Sequence, residues 1–219
     1  MLVAYNEKKI VCLAPESEKI HSPFFCPECE EEVILRKGKI KVHHFAHSVK
    51  SNCDYGGEGH LHMETKYSLY KKFKRLKYNT EIEKKIENHR ADVFVPFKGD
   101  DLVFEVQVSN ISKEDFWERT NFYQQKDCQI VWIFPYSKIK WIRGEMKINN
   151  VMKYALRLYK GNIYVYDKSW NHIKKYKLGD VTSYNEGYDE WGEYHESEYI
   201  FKKRKKVISF DKKWEVFLR

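Results

Sequence analysis

Residues Arg90 to Val108, RADVFVPFKGDDLVFEVQV, read as two strands joined by a polar turn at Lys98-Gly99-Asp100-Asp101, with apolar alternation on both sides. On the first strand Val93, Val95 and Phe97 share one face, and Asp92 takes the other with Phe94. On the second, Phe104, Val106 and Val108 share a face, and Glu105 and Gln107 lie opposite with Val103. The resulting pattern is D-x12-E-x-Q. Two readings of it are open. Hard oxygen donors at this spacing can hold a divalent cation and present a water to a phosphodiester. Alternatively, the acids simply line the wet face of an exposed hairpin.

Working outward, Glu58 to Lys77 reads as a helix that starts after a glycine-rich run, Gly56, Gly57 and Gly59. Glu58, His62 and Lys66 recur at i, i+4 and i+8, on a stripe that Leu69, Phe73 and Leu76 continue. A face that is polar at its start and apolar at its end suits a helix whose first half lines a site and whose remainder fills a core. His60 and Glu64 fall outside the stripe, toward solvent. Thr80 to Ile86 alternates as a strand. Ser112-Lys113-Glu114-Asp115 is a capping-box-like helix start, and the helix turns Phe116, Trp117, Thr120 and Tyr123 inward, with Arg119 one turn from Tyr123. Ile130 to Phe134, IVWIF, is a continuous apolar run closed by Pro135, as expected of a strand buried on both faces. Strand, strand, helix, strand, with carboxylates on the central pair, is a compact α/β nuclease-like core.

A separate small module lies between Phe24 and Cys53. Cys26 and Cys29 in FFCPEC form a knuckle whose thiolates converge on one ion, and HHFAH supplies imidazoles. The set C-x2-C-x14-H-x2-H assigns a structural zinc to Cys26, Cys29, His44 and His47, with Cys53 or His43 as alternates. Four protein ligands would leave no open position for catalysis. Cys12, in a short strand-like run, has no partner at ligand spacing and reads as a core thiol.

The formal net charge is +8, and the cations cluster at Arg36–Lys41, Lys66–Lys77 and the KKRKK run 202–206, which points to a polyanion and to nucleic acid before membrane. No apolar run approaches a membrane span, and the five cysteines, an odd number, argue for a reducing compartment with metal thiolates, hence the cytosol. After Tyr136, residues 162–167 and 172–178 read as an edge hairpin around Lys168–Asn171, and 181–197 as an acidic loop. The expected division is 1–55 for the first strand and zinc module, 56–140 for the core, and 141–219 for a β-rich extension with a basic tail.

In this order, FFCPEC, HFAH, Glu58-x3-His62-x3-Lys66, RADV, FEVQVS, RTNFY and VWIF resemble the competence protein CoiA family, over Phe24 to about Phe134 and more loosely beyond. The resemblance implies a restriction-endonuclease-like, PD-(D/E)XK core fused to a small N-terminal zinc-binding β module, and a role in processing DNA during competence. It implies that Asp92 and Glu105 are the metal-binding acids and that Glu58 is the acid supplied by the first helix. Gln107 stands where the wider superfamily usually has lysine. On this footing Asp92, Glu105 and the Val106 carbonyl would bind Mg²⁺ or Mn²⁺, and Gln107 would orient the attacking water. His62 or Lys66 would restore the missing charge, and Arg119, with Tyr123 nearby, would contact a phosphate. Because Gln107 cannot supply a cation, a catalytically weak module that holds DNA for a recombinase is the alternative. A phage or mobile-element defence nuclease is a third reading. Cutting both strands would require a homodimer.

Overall fold

Short apolar runs at the start of the chain assemble an antiparallel sheet, because no run is long enough to stand alone. β1 (Val3–Asn6), β2 (Val11–Leu13), β3 (Phe24–Phe25), β4 (Glu32–Arg36) and β5 (His44–Ala46) lie in the order β2-β1-β3-β4-β5. Along β4 burial alternates, with Val33 and Leu35 inside and Ile34 and Arg36 outside. The inner face gathers Met1, Phe24, Cys26, Val33, Leu35 and Phe45, and Cys12 packs at its edge as the sequence suggested. This is a computed structural model, and it describes residues 1–53, 55–97, 101–142, 145–169, 171–183, 187–188, 194–195 and 199–210, with side chains through 179 except at 142. It divides into two compact units, Met1–Pro96 and Phe97–Arg219.

The first unit continues with α1 (His60–Arg75), which buries Met63, Leu69 and Phe73 and packs on the antiparallel hairpin of β6 (Glu81–Ile86) and β7 (His89–Val95). Glu58 lies just ahead of the helix, whose N-cap is Gly59. Residues 91–95 of β7 are all buried, so this strand has no wet face.

The second unit begins with β8 (Asp101–Val106), α2 (Lys113–Gln125) and β9 (Cys128–Pro135). The sequence-predicted turn residues 98–100 lie outside the described residues. β9 runs parallel to β8, and α2 supplies the crossover that a parallel pair requires. The Ser112 hydroxyl caps α2 by accepting the Asp115 amide at 2.9 Å. Phe116 stacks on Trp132 of β9 with centroids 4.5 Å apart, and the Trp132 indole donates to Thr120 at 3.0 Å. β10 (Trp141–Ile142), β11 (Glu145–Ile148), α3 (Asn150–Leu158), β12 (Asn162–Asp167) and β13 (His172–Ser183) follow. A short pair, β14 (Gly187–Tyr188) and β15 (Tyr194–His195), then precedes β16 (Tyr199–Phe210). Within this unit the strand order is β10-β11-β16-β13-β12-β9-β8, with β9 and β12 also parallel.

One sequence expectation changes here. The 162–178 hairpin forms, but it is interior, because β12 pairs with β9 and β13 pairs with β16. The structure also adds the helix α3, which Asn149 caps and in which Val151, Met152, Ala155 and Leu156 form a buried stripe at helical spacing. The run 202–206 falls within β16, and its side chains, like much of 181–197, lie outside the described residues. No helix among the described residues is long and apolar enough to cross a membrane.

Replacing Ser112 with Ala should cost about 1 kcal/mol. Urea unfolding should show this as a lower midpoint with an unchanged slope.

Candidate functional site

The first unit holds a charged group in its interior. Lys66, on α1, is 1% exposed. Its ammonium donates to both Glu58 oxygens at 2.6 Å and to Glu83 at 2.7 Å, and lies 3.4 Å from Asp92. His62, one turn earlier, places Nε2 2.8 Å from Asp92 Oδ2 and Nδ1 3.5 Å from Glu58. Asp92 is 8% exposed, so within this unit the wet-face reading fails for it. Burial alone would drive the Lys66 ammonium toward neutrality, but the carboxylates of Glu83, Asp92 and Glu58 outweigh it and hold the pKa well above the usual lysine value. The same competition acts on His62. Burial lowers its pKa, and Asp92, by charge and hydrogen bond, more than reverses that.

Glu83 is a member that sequence reading missed. In TEIEKKI the two-residue period sets Glu83 with Glu81 and Lys85 on the polar face. The backbone at Glu83 instead adopts φ 52°, a left-handed conformation rare in a strand, and Ile82 and Glu83 are both buried. The carboxylate thereby turns inward. It accepts the Leu2 amide at 2.9 and 3.0 Å, the Val3 amide at 3.1 Å and the Tyr55 hydroxyl at 2.5 Å, besides the Lys66 ammonium. Burial would raise its pKa, but Lys66 and the other donors hold it down at about 2. Register supplies the one signal available. Ile82 pairs with Val93 and Lys84 with Ala91, so Glu83 sits opposite Asp92. Arg90, from RADV, donates to the Glu83 carbonyl at 2.9 Å, stacks over Tyr55 at 4.2 Å and pairs with Glu28.

Three carboxylates meet the Lys66 ammonium here, and the Met1 ammonium also interacts with Glu83 and Glu58. One donor atom each from Glu58, His62 and Asp92 lies within 4.8 Å of the others. Two carboxylates and an imidazole fit Mn²⁺ and Mg²⁺, and the nitrogen donor favours the former.

The second unit secures the other sequence-predicted acid. Glu105, 1% exposed, accepts from Arg119 at 2.9 Å through one oxygen and from the Tyr123 hydroxyl at 3.0 Å through the other. Arg119, expected to contact a phosphate, is thus engaged with Glu105. Gln107 is 7% exposed, its amide nitrogen donates to the Ser109 carbonyl, and its backbone amide extends the ladder to Ile133 at 2.8 Å. Val106 pairs with the same Ile133.

The thiol group differs from the leading sequence assignment. Cys26, Cys29, His47 and Cys53 bring their donor atoms within 4.8 Å of one another. Cys29 Sγ is 3.3 Å from His47 Nε2, and Cys26 Sγ is 4.0 Å from Cys53 Sγ. His44 is replaced by Cys53, because its ring turns to the Val42 carbonyl at 3.0 Å, and His43 is also outside the group. Alternation along β5 explains the exchange. His44 and Ala46 share a face, and His47 lies just past the strand end, free to turn toward the knuckle. The Glu28 amide donates to Cys26 Sγ at 3.3 Å, which curls the knuckle. Three sulfurs and one imidazole nitrogen are a tetrahedral zinc set.

The family described as competence protein CoiA, nuclease-like domain, matches residues 58–188, more than half of the 219-residue chain. The chain belongs to the CoiA family. The CoiA N-terminal domain matches residues 12–56, which contain all four members of the thiol–imidazole group. The competence protein CoiA of Bacillus subtilis (strain 168) is 34% identical over 121 residues, covering 53% of this chain and 32% of that protein. This CoiA-family chain therefore aligns with about a third of that relative's length. No solved structure matches it.

Cys53→Ser should lower zinc retention in purified protein at least tenfold, while His44→Ala should keep one zinc per chain. Atomic emission reads both. The Glu83 carboxylate stabilises the fold above its unfolded pKa of about 4.3, and this contribution, on the order of 3 kcal/mol, is lost as pH falls toward 2. Glu83→Gln should therefore flatten the stability–pH curve between about pH 4.3 and 2, measured by denaturant midpoint at each pH.

Proposed function

We propose that this CoiA-family chain is a metal-dependent nuclease that hydrolyses phosphodiester bonds in DNA, serving DNA processing and recombination during competence. The observation that carries the reading is the half-buried Glu58–His62–Asp92 group with Lys66 beside it. These three side chains would hold Mn²⁺ or Mg²⁺. When bound, the ion would lower the pKa of water and offset charge developing on the phosphodiester. Lys66 contributes a fixed positive charge beside Asp92, and its carboxylate contacts keep it ionised. His62 sets the orientation of Asp92 through the 2.8 Å contact. Glu105 takes the second-acid role on the D-x12-E-x-Q spacing, held rigid by Arg119 and Tyr123. Gln107 orients water. Cys26, Cys29, His47 and Cys53 hold a structural zinc, whose four protein ligands close its coordination.

A second reading, a module that holds DNA for a recombinase, draws on one observation. The Gln107 amide nitrogen is already engaged with Ser109, and the position carries no charge.

Labelled single- and double-stranded DNA incubated with Mn²⁺, Mg²⁺ or no added metal decides between them. Wild type should cut, faster with Mn²⁺. Asp92→Ala and Glu105→Ala should lose cutting while keeping their folded spectra, and Lys66→Met should lose at least about a hundredfold. Binding without cutting in every metal would establish the second reading.

A further inference from the structure

Arg90 stands where two groups of the first unit meet, and its one planar side chain makes three different contacts. Glu28 lies inside the knuckle, between Cys26 and Cys29, and its own amide donates to Cys26 Sγ. The β6–β7 hairpin grips its carboxylate from both sides. Lys85 holds one oxygen at 3.0 Å and Arg90 Nη2 the other, and these two cations are register partners. Arg90 Nη1 donates to the Glu83 carbonyl at 2.9 Å, and the guanidinium covers the Tyr55 ring at 4.2 Å. Tyr55 follows Cys53 by two residues. Arg90 thus touches the chain within two residues of Cys26, Cys29 and Cys53, three of the four donors of the thiol–imidazole group. A lysine has no such reach in one group, because its ammonium is a point charge and the guanidinium is a fixed fork with a flat face.

The other end of these contacts is the charge cluster. Glu83 has φ of 52°, and a non-glycine residue stays in that conformation only where its surroundings hold it. Arg90 fixes its carbonyl, and Tyr55, under the guanidinium, donates its hydroxyl to the carboxylate at 2.5 Å. The conformation decides where the carboxylate points, since ordinary strand alternation would set it outside with Glu81 and Lys85. Turned inward, it meets Lys66 at 2.7 Å, and the same ammonium lies 2.6 Å from Glu58 and 3.4 Å from Asp92. A movement of Glu83 therefore moves the ammonium that both acids face. Glu83 is an element with two arrangements, and the knuckle biases it through Arg90.

We propose that Arg90 is a positioning residue that couples the thiol–imidazole group to the Glu58–His62–Asp92 group, with Glu83 as the element it holds. Only the ion that the second group binds rests on the nuclease reading. Coupling of this kind is reciprocal. Whatever a closed knuckle does for divalent-ion binding, a bound divalent ion does for the knuckle. A zinc set that merely stapled short strands together would leave the second group indifferent to it.

Three measurements on the zinc-loaded full chain test this. The first needs no divalent ion. The His62 ring nitrogen resonances, assigned by their loss in His62→Gln, should move in Arg90→Met and in Glu28→Ala. They should stay in place in Lys9→Ala, which breaks the exposed Lys9–Glu30 pair one residue past the knuckle. The second is Mn²⁺ affinity, read from the free-ion electron paramagnetic resonance signal. With one zinc per chain retained, Arg90→Met should weaken it at least fivefold and Glu28→Ala at least threefold. The double variant should be no weaker than Arg90→Met, because both changes remove one link. Arg90→Lys should not restore it. The third is the rate at which zinc passes to an excess of a magnesium-insensitive indicator. Saturating Mg²⁺ should slow this at least fivefold in wild type and in Lys9→Ala, and less than twofold in Arg90→Met. A purely structural arginine would lower the melting temperature of its variant and leave that Mg²⁺ ratio unchanged. Unmoved His62 resonances, an unchanged Mg²⁺ ratio in Arg90→Met, equal effects in Lys9→Ala, or full recovery in Arg90→Lys would each overturn the assignment. If Arg90→Met does not fold, Glu28→Ala, at an exposed position, decides the same comparisons. The nuclease reading fails separately, on a wild type that binds no Mn²⁺ or that binds it and leaves DNA uncut. The His62 resonances score Arg90 in either case.

Discussion

A lysine ammonium taken out of water must find opposite charge or give up its proton. Lys66 resolves this by collecting three carboxylates from three different places in the chain, Glu58 ahead of α1, Glu83 on β6 and Asp92 on β7. Each partner in turn fixes something else. Glu83 anchors the Leu2 and Val3 amides, so the first strand of the zinc-type module is tied to the nuclease-type hairpin through one carboxylate. Asp92 orients His62, and Glu58 leads the chain from the glycine-rich run into the helix. Removing one member of such a buried group leaves an uncompensated charge, typically a loss of about 3–5 kcal/mol.

Within the first unit, charge around Asp92 is met from the helix, since the Lys66 ammonium lies 3.4 Å away. Glu105, in the second unit, is handled differently, and the Gln107 amide two residues on is committed to Ser109. A guanidinium and a phenol from α2 each hold one Glu105 oxygen, so the carboxylate is rigid without being neutralised by a buried ammonium.

The thiol–imidazole group serves the same unit by a different route. Strands of two to five residues bury too little to specify a fold, and a metal ligand set is one of the few devices that can hold them. Its knuckle is tied to the hairpin as well, since Glu28 pairs with Lys85 and with Arg90.

Much of this was legible without coordinates. The apolar alternation flanking residues 98–101, the Ser112 cap, the buried IVWIF strand and the i, i+4, i+8 stripe of His62 and Lys66 are local patterns, and local patterns report backbone periodicity and capping directly. The Cys26–Cys29 knuckle is equally local. Tertiary structure decided what periodicity cannot encode. One residue with positive φ turned Glu83 from the polar face to the centre of the charge cluster, reversing the strand's alternation. The choice of Cys53 over His44 depended on which face of β5 meets the knuckle. The helix α3 has a readable stripe, yet the interior position of the 162–178 hairpin needed partners distant in sequence. A sequence states which groups a chain possesses and how each short run bends. Which of them share a low-dielectric interior, and so must pair, is settled only when the runs are packed.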